Sequence, residues 1–250
     1  MPNQKRASLD AAQKTVHNKL LAQMSASDFA LLKPQLEWVD LPVRKLLEGR
    51  GRRIEFVYFL EKGIASVVVS AGARHSLEVG ILGYEGMTGL AVLLGSDSSL
   101  AETFIQAPGA GWRLAVSGLR QCLGHSESLH SFLLRYAYTV VTQMAFTALA
   151  NGSYNIGERL ARWLMMAHDR AGSDDVFLTH EFLSVMLGVR RPGVTAALGE
   201  LEKRGIIATG RGMVTIKNRA ALEDTSNGAY GAAEAEYARL FASSERGPHR

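Results

Sequence analysis

The sequence predicts an α+β protein with three parts: an N-terminal jelly-roll barrel, a long connecting helix and a C-terminal winged helix-turn-helix domain. Three observations lead to this fold class. Short β-rich runs separated by glycines occupy residues 38–117, a helical repeat runs from Leu129 to Ala150, and two short helices precede a hairpin pattern between residues 178 and 218. A chain of 250 residues can form two hydrophobic cores without metal or disulfide support.

Composition narrows the class of protein. The formal net charge of +4 weakly favours a polyanionic partner such as nucleic acid. Cys122 is the single cysteine, which excludes an intrachain disulfide and a multi-thiolate metal site, so we expect no cofactor, no metal and a reducing, cytoplasmic setting. No apolar run approaches the ~20 residues that a membrane helix needs. We therefore expect no membrane partner.

The barrel is predicted from a change of period. Apolar residues at helical spacing indicate short helices over residues 8–36, with Ser27 or Asp28 capping the second. Period-two runs follow, and turn-forming Ala107-Pro108-Gly109 is expected to separate the last two strands. The predicted strands are Phe56–Leu60, Ile64–Ser70, Ser76–Ile81, Thr103–Gln106 and Trp112–Val116.

The long helix has two possible roles. Its apolar residues recur every three or four positions, which is typical of a helix with a broad apolar face. That face could form a dimer seam or could pack against its own barrel. Asn151-Gly152-Ser153 then predicts a hinge before the next helix, Ile156–Arg170. The apolar positions are Leu129, Phe132, Leu133, Tyr136, Val140, Met144 and Leu149.

The segment after residue 178 carries the functional motif. Thr179 is a good N-cap for a short helix that ends at Gly188, and Pro192 suits the first turn of the next helix. In that second helix Val194, Leu198 and Leu201 share one face, which leaves small and basic residues on the other.

A predicted hairpin with Arg211 at its tip completes the pattern of a winged helix-turn-helix, which favours binding to double-stranded DNA. An ordinary helical hairpin inside a larger domain is the alternative. Residues 152–222 hold ten basic and seven acidic side chains, a net charge of +3. Because phosphate neutralisation supplies much of the affinity, so small a charge favours dimeric binding.

The order of barrel, long helix and winged helix-turn-helix resembles the Crp/Fnr family of bacterial regulators from about Phe29 to Leu222. The tightest match runs from Leu178-Thr179 through Gly188-Val189-Arg190-Arg191 to Leu201-Glu202-Lys203-Arg204-Gly205-Ile206-Ile207. In the barrel, Val57 to Gly63 looks like the family's strand-turn-glycine repeat. The resemblance implies a transcriptional regulator that binds DNA as a homodimer, with RNA polymerase as a further partner.

The resemblance also implies a set of DNA-contacting residues, with departures. Family members often begin the recognition helix with Ser-Arg-Glu, followed by an arginine four residues after the glutamate. Here Pro192 replaces the glutamate and Ala196 replaces the later arginine. Arg191 is the position we carry over as a base reader, with a phosphate contact as its alternative role. The predicted DNA-binding residues are Thr179, Arg190, Arg191, Pro192, Thr195, Ala196 and Arg211.

The turn Tyr84 to Gly89 lies where the family's phosphate-binding cassette lies. Relatives that bind cyclic nucleotides hold the phosphate with an arginine, but no arginine occurs here between Arg74 and Arg113, and Glu102 would face the anion. We therefore expect no response to cyclic AMP, and either an unidentified small effector or no ligand at all. The predicted pocket residues are Tyr84, Glu85, Gly86, Met87, Thr88, Gly89, Glu102 and Thr103.

The predicted domains are residues 1–150 (a cyclic-nucleotide-binding-like barrel with a long dimerisation helix from about residue 120), 151–222 (winged helix-turn-helix) and 223–250 (tail). Two other functions stay open. The chain could be a signalling module whose C-terminal domain binds protein. An enzyme is the second rival, but no G-x-S-x-G or H-E-x-x-H spacing and no nucleophile–base constellation occurs, so we expect none.

Overall fold

The computed structural model describes residues 13–72 and 75–241. The N-terminal part contains, in order, α1 (Lys19–Gln23), α2 (Ala26–Leu32), a 3₁₀ turn (Lys33–Gln35), β1 (Glu37–Leu41), β2 (Leu46–Glu48), β3 (Phe56–Ala71), β4 (His75–Leu82), α3 (Leu90–Leu93) and β5 (Ala101–Ala115). The helices α4 (Val116–His125) and α5 (Glu127–Ser153) follow. The predicted α+β fold class is confirmed.

The C-terminal part is a small three-stranded sheet with helices packed around it. Its elements are α6 (Ile156–Ala171), β6 (Asp175–Phe177), α7 (His180–Leu187), α8 (Arg191–Lys203), β7 (Ile207–Gly210), β8 (Met213–Ile216), α9 (Arg219–Thr225) and α10 (Ala232–Phe241). The strand order β6-β8-β7 makes β7 and β8 an antiparallel hairpin. This hairpin is the predicted wing.

The N-terminal sheet has the order β1-β5-β3-β4, with β2 also paired to β5. The predicted turn at Ala107-Pro108-Gly109 is wrong, because β5 runs without interruption from Ala101 to Ala115. Proline is tolerated there because the register between β3 and β5 shifts at this point, so Pro108 has no partner on β3. A Cβ on Gly109 would lie 2.0 Å from the carbonyl oxygen of Lys62, which only glycine permits.

The connecting helix differs from the prediction at both ends. A single helix from about residue 120 was expected, but Ser126 has extended backbone and its side chain caps α5 by accepting from Leu129 N–H. The predicted hinge at Asn151-Gly152-Ser153 is also wrong, since α5 is helical through Ser153. The break comes at Tyr154 and Asn155, where Asn155 and Glu158 form a capping box that starts α6.

The N-cap of α2 is Ser25 rather than the predicted Ser27 or Asp28. The Ser25 hydroxyl accepts from Asp28 N–H at 3.1 Å, while the buried Asp28 carboxylate accepts from the hydroxyls of Ser126 and Ser128. Asp28 therefore joins the N-terminal helices to the start of α5, a role that its neighbours in sequence do not reveal.

The two parts of the chain share packing. Ile64, Ile81 and Ala107 of the N-terminal sheet are buried in the same apolar cluster as the core of the C-terminal domain. The ring of Phe104 on β5 stacks on that of Phe182 on α7, with centroids 6.1 Å apart. The C-terminal domain is therefore held against the N-terminal sheet of its own chain.

The predicted tail, residues 223–250, is partly helical. The boundary at residue 222 falls inside α9, and α10 packs back on α5 through the edge-to-face rings of Phe132 and Phe241. Residues 242–250 lie outside the described part. Within residues 13–72 and 75–241 no helix has the length and apolar character to cross a membrane, and no three His, Cys, Asp or Glu side chains cluster as metal ligands.

Candidate nucleic-acid interface

Two short helices meet at a tight turn in the C-terminal domain. The Thr179 hydroxyl accepts from Phe182 N–H at 3.2 Å and caps α7, as predicted from its position. Gly188 ends this helix with φ of 60°, a left-handed conformation that favours glycine. Pro192 lies in the first turn of α8, where its missing N–H costs no hydrogen bond.

The two faces of α8 have opposite characters. Val194, Leu198 and Leu201 are buried against the domain core. The outer face is exposed, and it brings together the base-reading candidate and the small residues beside it. The exposed residues there are Arg190, Arg191, Pro192, Thr195 and Ala196. A helix with one buried face and a basic, small outer face can lie deep in a major groove.

The wing is fixed to the recognition helix. The Glu202 carboxylate on α8 accepts from both the backbone N–H and the hydroxyl of Thr209 on β7, at 2.8 and 2.9 Å. Because Arg211 is exposed at the tip of the same hairpin, Glu202 sets where that arginine stands relative to Arg191. Sequence reasoning had given no role to Glu202.

The long helix α5 has two apolar faces. Leu129, Phe132, Leu133, Tyr136 and Val140 are buried against the N-terminal domain of the same chain. A second stripe stays exposed, with Leu134 at 39%, Tyr138 at 53% and Val141 at 48%. Ala145 and Ala148 continue it at alternating steps of four and three residues, a coiled-coil repeat. The face of α5 that packs against its own domain is thus distinct from the exposed stripe.

The residues predicted to form a ligand pocket divide into two groups. Thr88, Gly89 and Thr103 point into the N-terminal domain. Gly89 N–H donates to Glu48 at 2.5 Å, and the Thr103 hydroxyl donates to the other oxygen of the same carboxylate at 3.0 Å. The carboxylate that binds Gly89 and Thr103 is thus that of Glu48, while Glu102, which was expected to face a bound anion, is half-buried.

Tyr84 and Glu85 face away from that group, toward a cavity of about 440 Å³. The cavity lies between the N-terminal domain, α5, α6 and α10, and Arg170 of α6 lines it. The Glu85 carboxylate accepts from Arg170 at 2.7 Å, so the turn is joined to the C-terminal domain. Gly86 and Met87 lie between the two groups, with Met87 N–H donating to the hydroxyl of Tyr136 at 2.9 Å.

A second contact joins the domains at Glu78 on β4. Trp163 Nε1–H on α6 donates to Glu78 Oε1 at 2.7 Å, while Glu78 Oε2 is buried without a partner among the described residues. Burial raises the pKa of Glu78 to about 7, against weaker lowering effects that include the nearby guanidinium groups of Arg162 and Arg170.

Sequence reasoning missed Glu48, Glu78 and Arg170, because each bonds a residue more than 40 positions away. The available signal in the sequence was a charged residue next to apolar ones. Such a residue suggests a buried charge but does not predict which residue it bonds. Cys122 shows no activation, since burial raises the pKa of its thiol and its sulfur lies beside Gln35 at 3.3 Å.

Comparison with known proteins identifies the C-terminal domain. Residues 158–225 match the family model of the Crp-like helix-turn-helix domain. No curated protein sequence gives a significant match. The predicted motif between residues 178 and 218 lies within the matched region.

Solved structures show a similar fold over most of the chain. A structure described as a Crp/Fnr-family transcriptional regulator from Eubacterium rectale matches 83% of this chain and 97% of its own, with a TM-score of 0.65 and 15% identity. FixK2 from Bradyrhizobium japonicum matches over 76% and 96%, with a TM-score of 0.66 and 17% identity. A CRP-family regulator from Thermus thermophilus matches over 78% and 99%, with a TM-score of 0.63 and 19% identity.

Proposed function

We propose that this chain is a DNA-binding transcriptional regulator of the Crp/Fnr type, which its Crp-like helix-turn-helix match and similar fold support. It binds a two-fold symmetric operator as a homodimer, with α8 of each subunit in the major groove. The observation that carries the proposal is the exposed surface of α8, where Arg191 and Thr195 are open to solvent while Val194 and Leu198 are buried.

The polar groups proposed to contact DNA divide between bases and phosphates. Arg191, in the first turn of α8, donates two guanidinium N–H groups to the O6 and N7 acceptors of a guanine. Arg190 and Arg211 contact the phosphates on either side of the groove. The Thr179 hydroxyl accepts one bond as the cap of α7, which leaves its own hydrogen free for a phosphate oxygen.

Selection of bound DNA from a random library tests this reading. We expect a palindrome whose half-site centres are about one helical turn, roughly 10 base pairs, apart. A selected site with a single half-site would contradict dimeric binding. If the bound DNA showed no preferred sequence, α8 would not read bases.

The dimer is proposed from the exposed stripe on α5. Leu134, Tyr138 and Val141 recur at a coiled-coil spacing, and a second copy of the same helix supplies the complementary surface. The small positive charge of the C-terminal domain supports this, because two domains together neutralise twice as many phosphates.

The variant Val141→Glu tests the seam. Two carboxylates would face each other across the two-fold axis, so we expect a monomer by light scattering and at least a ~100-fold loss of operator affinity. Gln121→Glu adds a charge on the exposed surface of α4 and should leave the dimer intact. A stable Val141→Glu dimer would exclude this stripe as the interface.

We also propose that cyclic AMP is not the effector. The stretch between Arg74 and Arg113 contains no arginine, and the N–H of Gly89 is already bonded to Glu48. Calorimetric titration of the protein with cyclic AMP should give no binding heat, and tight binding would refute the proposal.

Any other small effector would act best at the 440 Å³ cavity beside Tyr84 and Glu85, because that cavity contacts both domains. An effector there would bias the position of the reading helices through Arg170 on α6. RNA polymerase is proposed as a further partner from the family resemblance.

A further inference from the structure

The N-terminal domain contains a buried carboxylate that the DNA-binding function does not explain. Glu48 ends β2 and is 7% exposed. Its Oε1 accepts from Gly89 N–H at 2.5 Å, and its Oε2 accepts from the Thr103 hydroxyl at 3.0 Å. One side chain thus connects β2, the turn after β4 and the first part of β5.

The surroundings of Glu48 are complementary to a carboxylate. No ion pair to Glu48 occurs within residues 13–72 and 75–241, so neutral donors are its partners there and offset the cost of its burial only in part. Burial raises the pKa of Glu48, while hydrogen bonds from Thr103, Gly89 and Thr88 lower it. Donors that converge on both oxygens from two different elements form a cradle for a small anion.

We propose that Glu48 is an internal ligand of the N-terminal domain: its carboxylate fills a carboxylate-binding cradle formed by Gly89 and Thr103. The donors of the cradle are then satisfied without an anionic effector at this position. This inference is independent of DNA binding, because it concerns only contacts inside the N-terminal domain.

The cradle also lies next to a domain contact. β2 has three residues and an irregular register against β5, so its backbone pairing alone holds it weakly. Thr103 precedes Phe104, whose ring stacks on Phe182 of α7. Glu48 therefore fixes the part of β5 on which the first helix of the helix-turn-helix rests.

The variant Glu48→Ala vacates the cradle and leaves room for a free carboxylate, so the probes are sodium formate and sodium acetate. We expect the melting temperature of the full-length variant to fall by about 5 °C or more, since two buried donors lose their acceptor. Formate should restore at least half of that loss, and sodium chloride at equal ionic strength should not. The wild-type protein should respond to formate no more than to chloride.

Two further variants serve as controls. Glu102→Ala removes a carboxylate one residue from Thr103 that has no hydrogen bond to the cradle within the described part of the chain, so it should show neither the loss nor the rescue. Glu48→Gln keeps the cradle filled by an isosteric group, so it should not respond to formate. If Glu48→Gln responded to formate as strongly as Glu48→Ala does, the anion would bind elsewhere in the protein and the proposal would be overturned.

The proposal also fails if Glu48→Ala melts at the wild-type temperature, or if formate and chloride act alike on it. Should the variant be insoluble in chloride, soluble yield replaces melting temperature as the measurement. A higher soluble yield when the lysis and purification buffers contain formate instead of chloride supports the proposal, and equal yields overturn it.

Discussion

The turn from Tyr84 to Gly89 and the outer face of α8 use their polar groups in opposite ways. In the turn, donors are matched inside the chain: Gly89 N–H binds Glu48 and Met87 N–H binds Tyr136. On α8, Arg191 is exposed and its guanidinium has no partner in the described part of the chain. A region whose donors are satisfied internally stabilises the fold, and a region whose donors face solvent is available to a partner.

The difference leads to separable expectations. Substitutions at the buried carboxylates should change stability and leave the choice of DNA sequence unaltered. Substitutions on α8 and the wing should change affinity and leave stability unaltered, because exposed side chains contribute little to folding.

Glu78 should show the largest effect on stability. Its carboxyl stays protonated in the folded protein up to about pH 7, whereas in the unfolded chain it ionises near 4.5. The stabilisation is complete below the unfolded value and is lost as pH rises through the folded one. We expect the unfolding free energy of the wild type to fall by about 3 kcal/mol between those values relative to Glu78→Gln.

Denaturant unfolding of both proteins at pH 4.5, 6 and 7.5 measures this difference. Parallel pH dependences in the two proteins would show that Glu78 ionises normally. The expectation that buried carboxylates control stability would then fail for Glu78. Trp163→Phe removes the indole N–H that donates to Glu78 Oε1, a bond that lowers the pKa of Glu78, so the transition should move to higher pH.

Arg191→Ala should have the next largest effect, on affinity alone. Loss of a bidentate guanine contact costs about 1–3 kcal/mol, or roughly 5- to 150-fold in operator affinity, and relaxes selectivity at one base pair in each half-site. Fluorescence anisotropy with the selected operator and single-base variants measures both. A uniform loss across all sequences would assign Arg191 to a phosphate instead.

Arg211→Ala should have the smallest effect. A lost phosphate contact weakens binding by a similar factor on every sequence, about 3- to 10-fold, and reduces the slope of log affinity against log salt by about one for each arginine removed. Operator affinity measured at several salt concentrations for the wild type and the variant gives both slopes and so tests this expectation. Unequal losses on operator variants would show that the wing reads sequence.

The sequence predicted the C-terminal motif closely. Thr179, Gly188, Pro192 and the repeat Val194-Leu198-Leu201 have the structural roles expected of them. Capping, left-handed glycine and helical period depend on residues within a few positions of each other, so one sequence contains the whole signal.

The N-terminal domain was predicted less well in its details. Pro108 and Gly109 read as a turn but lie within β5, because a bulge opposite Gly63 accommodates both residues. Asn151-Gly152-Ser153 reads as a hinge but stays helical, since the capping box of Asn155 and Glu158 sets the break two residues later. In the first case the pairing with another strand outweighed the local preference, and in the second a stronger local signal, the capping box, did so.

By itself the sequence determined the order of elements, the helix-turn-helix and which side chains face outward on α8, because these follow from short-range spacing. Only the tertiary structure decided which carboxylate occupies the cradle, which face of α5 stays free and how the domains are joined. Those outcomes depend on pairs such as Glu48 with Gly89 and Glu78 with Trp163, which lie 41 and 85 residues apart. Burial makes such pairs energetically important, and only the folded chain brings their members together.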